Sequence, residues 1–392
     1  MKIEVYSPTI RRKEMDAVLT AMVEDKIGPG DQARLLIQIA KEQLRFDYCL
    51  ALRSPAMALY FALKALNLAE GQGVLISALS PRYYHRVIED LRLRPVYCDV
   101  RGDSPLMDRK NVEEAMAGKK PESGIRCIVL HHTLGFLPDT ASIAELGIPI
   151  IDDRSQSYGA GFLEEAGRSS GSGEASSPGE SAAPLPREAA SGGPSGVFTI
   201  LGLEERDLLT SGGGALLYAL NRRDGSVLRN YGDLPPEYSL PDMNAAMAVI
   251  QFRESARNLE KRLEIARIFT QSALRTRHRR FIQGDEGRYN NYAFPLVLET
   301  GLKDVKAYAR KKDIVVESAF ENTLMGFALA SDKGAALFSG AVEEEGKDPV
   351  PRFQDLCPEA YSLSLRTVLF PLYPRLSSSE VERISKLIVT LP

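Results

Sequence analysis

The chain has 392 residues, 44% of them hydrophobic and 26% charged, with a formal net charge of −3. That length accommodates one large domain plus a smaller one, and the near-neutral charge offers no long-range attraction to nucleic acid or to an anionic membrane. No apolar run approaches the roughly 20 residues that span a bilayer, and the charged start MKIEVYSPTIRRKEMDAV lacks the apolar core of an export signal. The four cysteines, Cys49, Cys98, Cys127 and Cys357, are widely separated and show no C-x-x-C pairing. Three lie in or beside apolar runs, where cysteine acts as a small buried hydrophobe. A reduced cytoplasmic protein without a metal site is expected.

Between about residues 45 and 220, short apolar runs alternate with longer amphipathic stretches. The runs are Cys49–Leu52, Val74–Ile76, Pro95–Cys98, Cys127–Leu130, Ile148–Ile151, Val197–Ile200 and Ala215–Tyr218. Continuous apolar runs rich in β-branched residues suit strands of a sheet covered on both faces. Ala56–Leu66 and Tyr84–Leu91 carry helical periodicity. Strand–helix alternation predicts a mainly parallel α/β sheet, with ligands bound beyond the carboxyl ends of its strands.

Residues 164–197 are dominated by Gly, Ser, Ala, Pro and Glu. With little to bury, such a segment is expected to be a disordered insertion. Asp242–Arg277 then reads as one long helix or two in succession, Tyr292–Leu298 as a strand and Leu302–Lys312 as a basic helix. Asp313–Glu317 and Thr367–Leu372 are further strand-like runs, and Ser377-Ser378-Ser379-Glu380 opens the last helix with a capping-box pattern. The expected division is a large domain at 1–222 and, at 223–392, a long helix with a small α+β domain.

Several segments in order resemble the DegT/DnrJ/EryC1/StrS family of nucleotide-sugar aminotransferases. They are VYSPTIRRKEMDAVLTAMVEDKIGPGDQARLLIQIAKEQL, CLALRSPAMALYFALKAL, LRPVYCDV, IVLHHTLGFLPD, IPIIDDRSQSYGA, VFTIL, LLTSGGGALL, EYSLPDMNAAMAVIQF and LFPLYPRLSSSEVERI. The resemblance implies a fold type I transferase, a homodimer, the cofactor pyridoxal phosphate (PLP) and a nucleotide-sugar ligand. PLP needs a lysine for the Schiff base, an acid for the ring nitrogen, a phosphate cradle and a stacking surface.

On that resemblance, Asp153 matches the ring-nitrogen acid and Gln156 the contact to the ring hydroxyl. Ser54-Pro55-Ala56 stands where Ser-Gly-Thr cradles the phosphate, and proline there supplies no N–H. Glu237 stands at an asparagine that reaches the phosphate from the partner subunit, and Thr199 matches a serine that binds it. The stacking aromatic falls near Pro81, with Tyr83 and Tyr84 close by. His132 matches a family histidine read as structural. Arg206 lies nearest the position of the lysine, and no lysine occurs between Lys120 and Lys261. A guanidinium stays protonated and is a poor Schiff-base nucleophile. Two readings follow: a non-catalytic or impaired descendant in surface-polysaccharide or deoxyamino-sugar biosynthesis, or an atypical PLP enzyme acting on a nucleotide-linked keto sugar.

Overall fold

The computed structural model describes residues 2–117, 124–162, 196–281, 287–299, 301–330 and 352–392. The expected insertion at 164–197 lies outside them, apart from Gly196 and Val197. Two helices, α1 (Arg12–Val23) and α2 (Asp31–Leu44), precede the sheet strands. These are β1 (Tyr48–Leu52), β2 (Gly73–Ser77), β3 (Arg94–Cys98), β4 (Ile125–His131), β5 (Ile150–Asp153), the short β6 (Gly161–Phe162), β7 (Phe198–Gly202) and β8 (Ala215–Ala219). All but β6 form one seven-stranded sheet in the order β1-β8-β7-β5-β4-β2-β3, and each contains residues of one of the seven apolar runs. Pairing is parallel from β7 through β3, while β8 runs antiparallel to both β7 and β1.

The runs are continuously apolar because both faces are covered. Val74, Ile76, Val129 and Ile151 enter one core with α3 (Pro55–Ala65) and α4 (Tyr83–Asp90). The alternate residues Leu75, Ile128, Leu130 and Ile150 enter another, beneath α5 (Arg109–Met116) and α6 (Thr140–Ala144). Leu201 and Leu216 meet α2 in a third. All four cysteines are buried and unbonded, including Cys357, which belongs to the first of these cores.

After α7 (Arg222–Arg229), α8 (Asp242–Ala273) is a single 32-residue helix, about 48 Å long at 1.5 Å per residue. Its first half packs Ala245, Val249 and Phe252 under the large sheet. Its second half packs Ile265, Ala266 and Phe269 into a separate core. That core is built on β10 (Phe294–Val297), β11 (Glu317–Ser318) and β12 (Thr367–Phe370), antiparallel in the order β10-β12-β11, with α9 (Leu302–Arg310) and the helix Ser378–Val389. β9 (Gly287–Arg288) pairs with β6. Ser377 forms the expected capping box, its Oγ accepting from Glu380 N–H at 3.3 Å while Glu380 accepts from Ser377 N–H at 2.9 Å.

The strand expected at Asp313–Glu317 is shorter and later than its β-branched run suggests. Ile314 instead bridges to Ile3, and pairing with β12 begins at Glu317. From there the chain returns to the large sheet. Phe320, Leu324 and Met325, the last two opening α10 (Leu324–Ala330), are buried in the first core. Leu324 and Met325 donate backbone hydrogen bonds of 3.0 Å to Ser80 and Ala78 in the loop after β2.

Candidate functional site

The carboxyl ends of β4, β5 and β7 and the start of α4 bring one polar cluster together around Asp153. This side chain is 1% exposed. One oxygen accepts from Ser155 N–H at 3.0 Å and from Ser155 Oγ at 2.5 Å. The other accepts a short bond from the Tyr84 hydroxyl and a longer one, 3.4 Å, from the Tyr83 hydroxyl. A carboxylate has about four lone-pair directions, so the protein's own donors saturate this one. Burial first, and then the Asp153 charge, push both tyrosine hydroxyls well above their usual range, so both stay protonated donors.

The loop after β7 closes the cluster from the other side. Gly202 N–H donates to Ser155 Oγ at 2.8 Å. A Cβ at Gly202 would overlap the Asp207 carboxylate and stand 2.8 Å from Ser155 Oγ. Asp207 accepts from Glu204 N–H at 2.8 Å. Desolvation raises its carboxyl well above the ordinary range, and the nearby charges of Asp153 and Glu204 reinforce that shift. His131, at the end of β4, is pushed down to about 4 by burial and lies edge-on to Tyr84 with ring centroids 6.1 Å apart. The cluster thus holds carboxylates, phenols and a neutral imidazole.

Arg206 does not point its charge at Asp153. Its Nη1 donates to Glu317 of β11 at 2.8 Å, and its guanidinium lies 5.9 Å from the Tyr6 ring. Partial burial works against the Arg206 charge, but the hydrogen bond and charge of Glu317 outweigh it and raise the pKa further. Gln156 is also engaged elsewhere, its Oε1 accepting from Leu134 N–H at 2.6 Å to hold the turn after β4. Ser54 is spent as the N-cap of α3, accepting from Met57 N–H at 3.2 Å, with Pro55 at the first helical position. Thr199 pairs in register with Asp152, not Asp153. Because side chains alternate along strands, Thr199 faces the side of the sheet away from Asp153. Glu237 and Arg53 are exposed.

On that opposite face His132 bridges Asp152, at 2.7 Å from Nε2, and Ser157, at 2.7 Å from Nδ1. Arg154 Nε donates to Asp152 at 2.7 Å. Burial would raise the Asp152 carboxyl, but Arg154 and His132 together hold it well below the usual range.

Residues 8–177 match the sequence profile of the DegT/DnrJ/EryC1/StrS aminotransferase family. The chain is similar to this family over those residues. Among proteins of this kind, L-glutamine:2-deoxy-scyllo-inosose aminotransferase of Streptomyces paromomycinus is 25% identical over 155 residues, 38% of this chain and 36% of that protein. This chain therefore spans about a third of that curated relative in the match. The fold is shared over nearly the full length with solved structures. The aminotransferase TlmJ from Streptoalloteichus hindustanus superposes with a TM-score of 0.75 at 18% identity, covering 98% of this chain and 97% of that one. Spr1654 from Streptococcus pneumoniae, in its PLP form, gives 0.76 at 16% identity, covering 100% and 98%.

The sequence resemblance pointed to Asp153 and, as candidates for a stacking aromatic, to Tyr83 and Tyr84, but not to the hydrogen bonds that join them. Tyr84 is 69 residues away from Asp153 and Glu317 is 111 from Arg206, so no local spacing links them. Ser155 and Asp207 carried a weak local signal, as polar residues within two positions of Asp153 and Arg206. Among the described residues no cluster of three or more His, Cys, Asp or Glu side chains is placed to hold a metal, and no helix is long and apolar enough to cross a membrane.

Proposed function

We propose that this chain is a non-catalytic member of its family, serving as a binding or scaffolding partner in surface-polysaccharide or deoxyamino-sugar biosynthesis in the cytoplasm. The observation that carries this reading is the saturation of Asp153. The residues do not fit PLP as they are arranged. A protonated ring nitrogen reaching Asp153 would have to displace a tyrosine hydroxyl or Ser155, leaving buried donors unpaired at about 1–3 kcal/mol each. The nearest residue to the lysine position is a guanidinium already paired with Glu317. The first turn of α3 lacks an N–H at Pro55, and the burial-raised Asp207 acid adds no cation for a phosphate.

The family resemblance also supports a homodimer. The exposed side of α1 carries Met15, Leu19, Met22 and Val23, each more than half exposed, at spacings that place them on one helical stripe. A second copy covering that stripe would remove it from water, and sedimentation should report a dimer.

Titrating purified protein with PLP while recording the visible spectrum tests the central reading. No stable absorption band is expected, and tight binding with a band that amino donors bleach would favour the atypical enzyme instead. Arg206→Lys sharpens the test. If that single change created such a band, the pocket would be open and the occlusion reading would fail.

A further inference from the structure

We propose that the cleft between α9 and α10, on the small-domain side of the molecule, binds a phosphorylated small molecule with an apolar body. The cleft has a volume of about 1180 Å³, somewhat above the roughly 300–1,000 Å³ typical of ligand pockets. One wall is cationic. Lys303, Lys306 and Arg310 line it from a single helix, and their spacing of three and four residues puts them on one face of α9. Among the described residues none of the three forms an ion pair with a carboxylate. Like charges at these spacings repel by about 0.2–0.5 kcal/mol per pair, a cost that a bound dianion would reverse. Arg310 supplies a planar fork of donors and the lysines supply compact charges, which together suit a phosphoryl group.

The floor is apolar and built by the other side of the cleft: Val316, Phe320 and Leu365. Ser364, also lining the cleft, is 5% exposed, and its Oγ has no hydrogen-bond partner. A buried hydroxyl left unpaired costs about 1–3 kcal/mol, and such groups call for a missing partner. Asp313 and Glu321 also line the cleft, so the anion must sit against the α9 wall, with its apolar portion over the exposed side chains of Leu329 and Leu365. This inference goes beyond the reading of the Asp153 cluster and does not depend on it, because no residue of that cluster lines the cleft.

Calorimetric titration of the full chain with hexyl phosphate, inorganic phosphate and hexanol tests it. Hexyl phosphate should bind saturably and more tightly than inorganic phosphate, with hexanol giving no saturable heat. Lys306→Glu together with Arg310→Glu should weaken hexyl phosphate by at least about tenfold, with an unchanged far-ultraviolet circular dichroism spectrum. If that pair perturbs the fold, Lys303→Gln alone provides the same comparison with a smaller loss. Absence of saturable hexyl phosphate binding, equal affinity for inorganic phosphate, or affinity untouched by the α9 substitutions would each overturn the proposal. PLP binding at Asp153 would leave it standing.

Discussion

Asp152 and Asp153 are neighbours on β5 and almost equally buried, yet they face opposite sides of the sheet and are stabilised by different chemistry. Asp152 is held by charge, through Arg154 and His132, with Ser157 completing the chain. Asp153 is held by neutral donors, two tyrosine hydroxyls, a serine hydroxyl and an amide. An ionic cluster of this kind fixes the packing of a strand and resists disruption. A hydroxyl cluster is easier to open, because removing one donor leaves the others in place. The difference separates a carboxylate locked by charge from one held by the protein's own hydroxyls at the carboxyl end of the sheet.

Removing the ionic partner should have the larger effect. Asp152→Asn removes the buried charge at the centre of the Arg154 and His132 hydrogen bonds, so denaturant unfolding should show a loss of about 3 kcal/mol. Gly202→Ala should cost about 2 kcal/mol, because the new methyl overlaps Asp207 and crowds Ser155. A loss below the noise of the melt would mean that the loop after β7 yields easily. Tyr84→Phe should cost about 1.5 kcal/mol, the value of one hydrogen bond to a charged group. If PLP binding appeared in that variant, occlusion by tyrosine would be the main barrier to the cofactor.

The pH dependence separates the two faces by sign. The Asp152 carboxyl is depressed in the folded protein. Its contribution is therefore present above the unfolded value of about 3.9 and is lost as pH falls below it. Asp152→Asn should remove that acid-side slope. Asp207 is raised, so its contribution is complete below about 3.9 and is lost as pH climbs through the folded value. Asp207→Asn should flatten the curve towards neutral pH and leave the variant more stable there than the parent. Urea melts across a pH series check both, and a parallel loss in the two variants would sink the comparison. The smallest effect is expected from Arg206→Ala, whose pair with Glu317 is half exposed. Stability should change by less than about 1 kcal/mol.

Much of the fold was legible from local pattern. Continuous apolar runs marked all seven strands of the large sheet because both of its faces are buried, a condition that leaves its signature in every residue of the strand. Ser377 and Glu380 marked a helix start because the capping box is a contact between residues three apart. The run at Asp313–Glu317 misled because β-branched residues report burial, and Ile314 is buried against Ile3 rather than in the small sheet. At the site, the structure gathers hydroxyl donors on Asp153 and pairs Arg206 with Glu317, while Gln156 and Ser54 are engaged in local backbone contacts and Thr199 faces away.

By itself the sequence determined the strand–helix order of the large sheet and the capping box at Ser377, since each is written in residue type and spacing. Only the tertiary structure decided the state of the pocket. Tyr84 reaches Asp153 because α4 follows β2 across the sheet from β5, and Glu317 reaches Arg206 because the small sheet folds back on the loop after β7. Hydrogen bonds act over about 3 Å, so their partners are set by where the chain returns in space and not by distance along it.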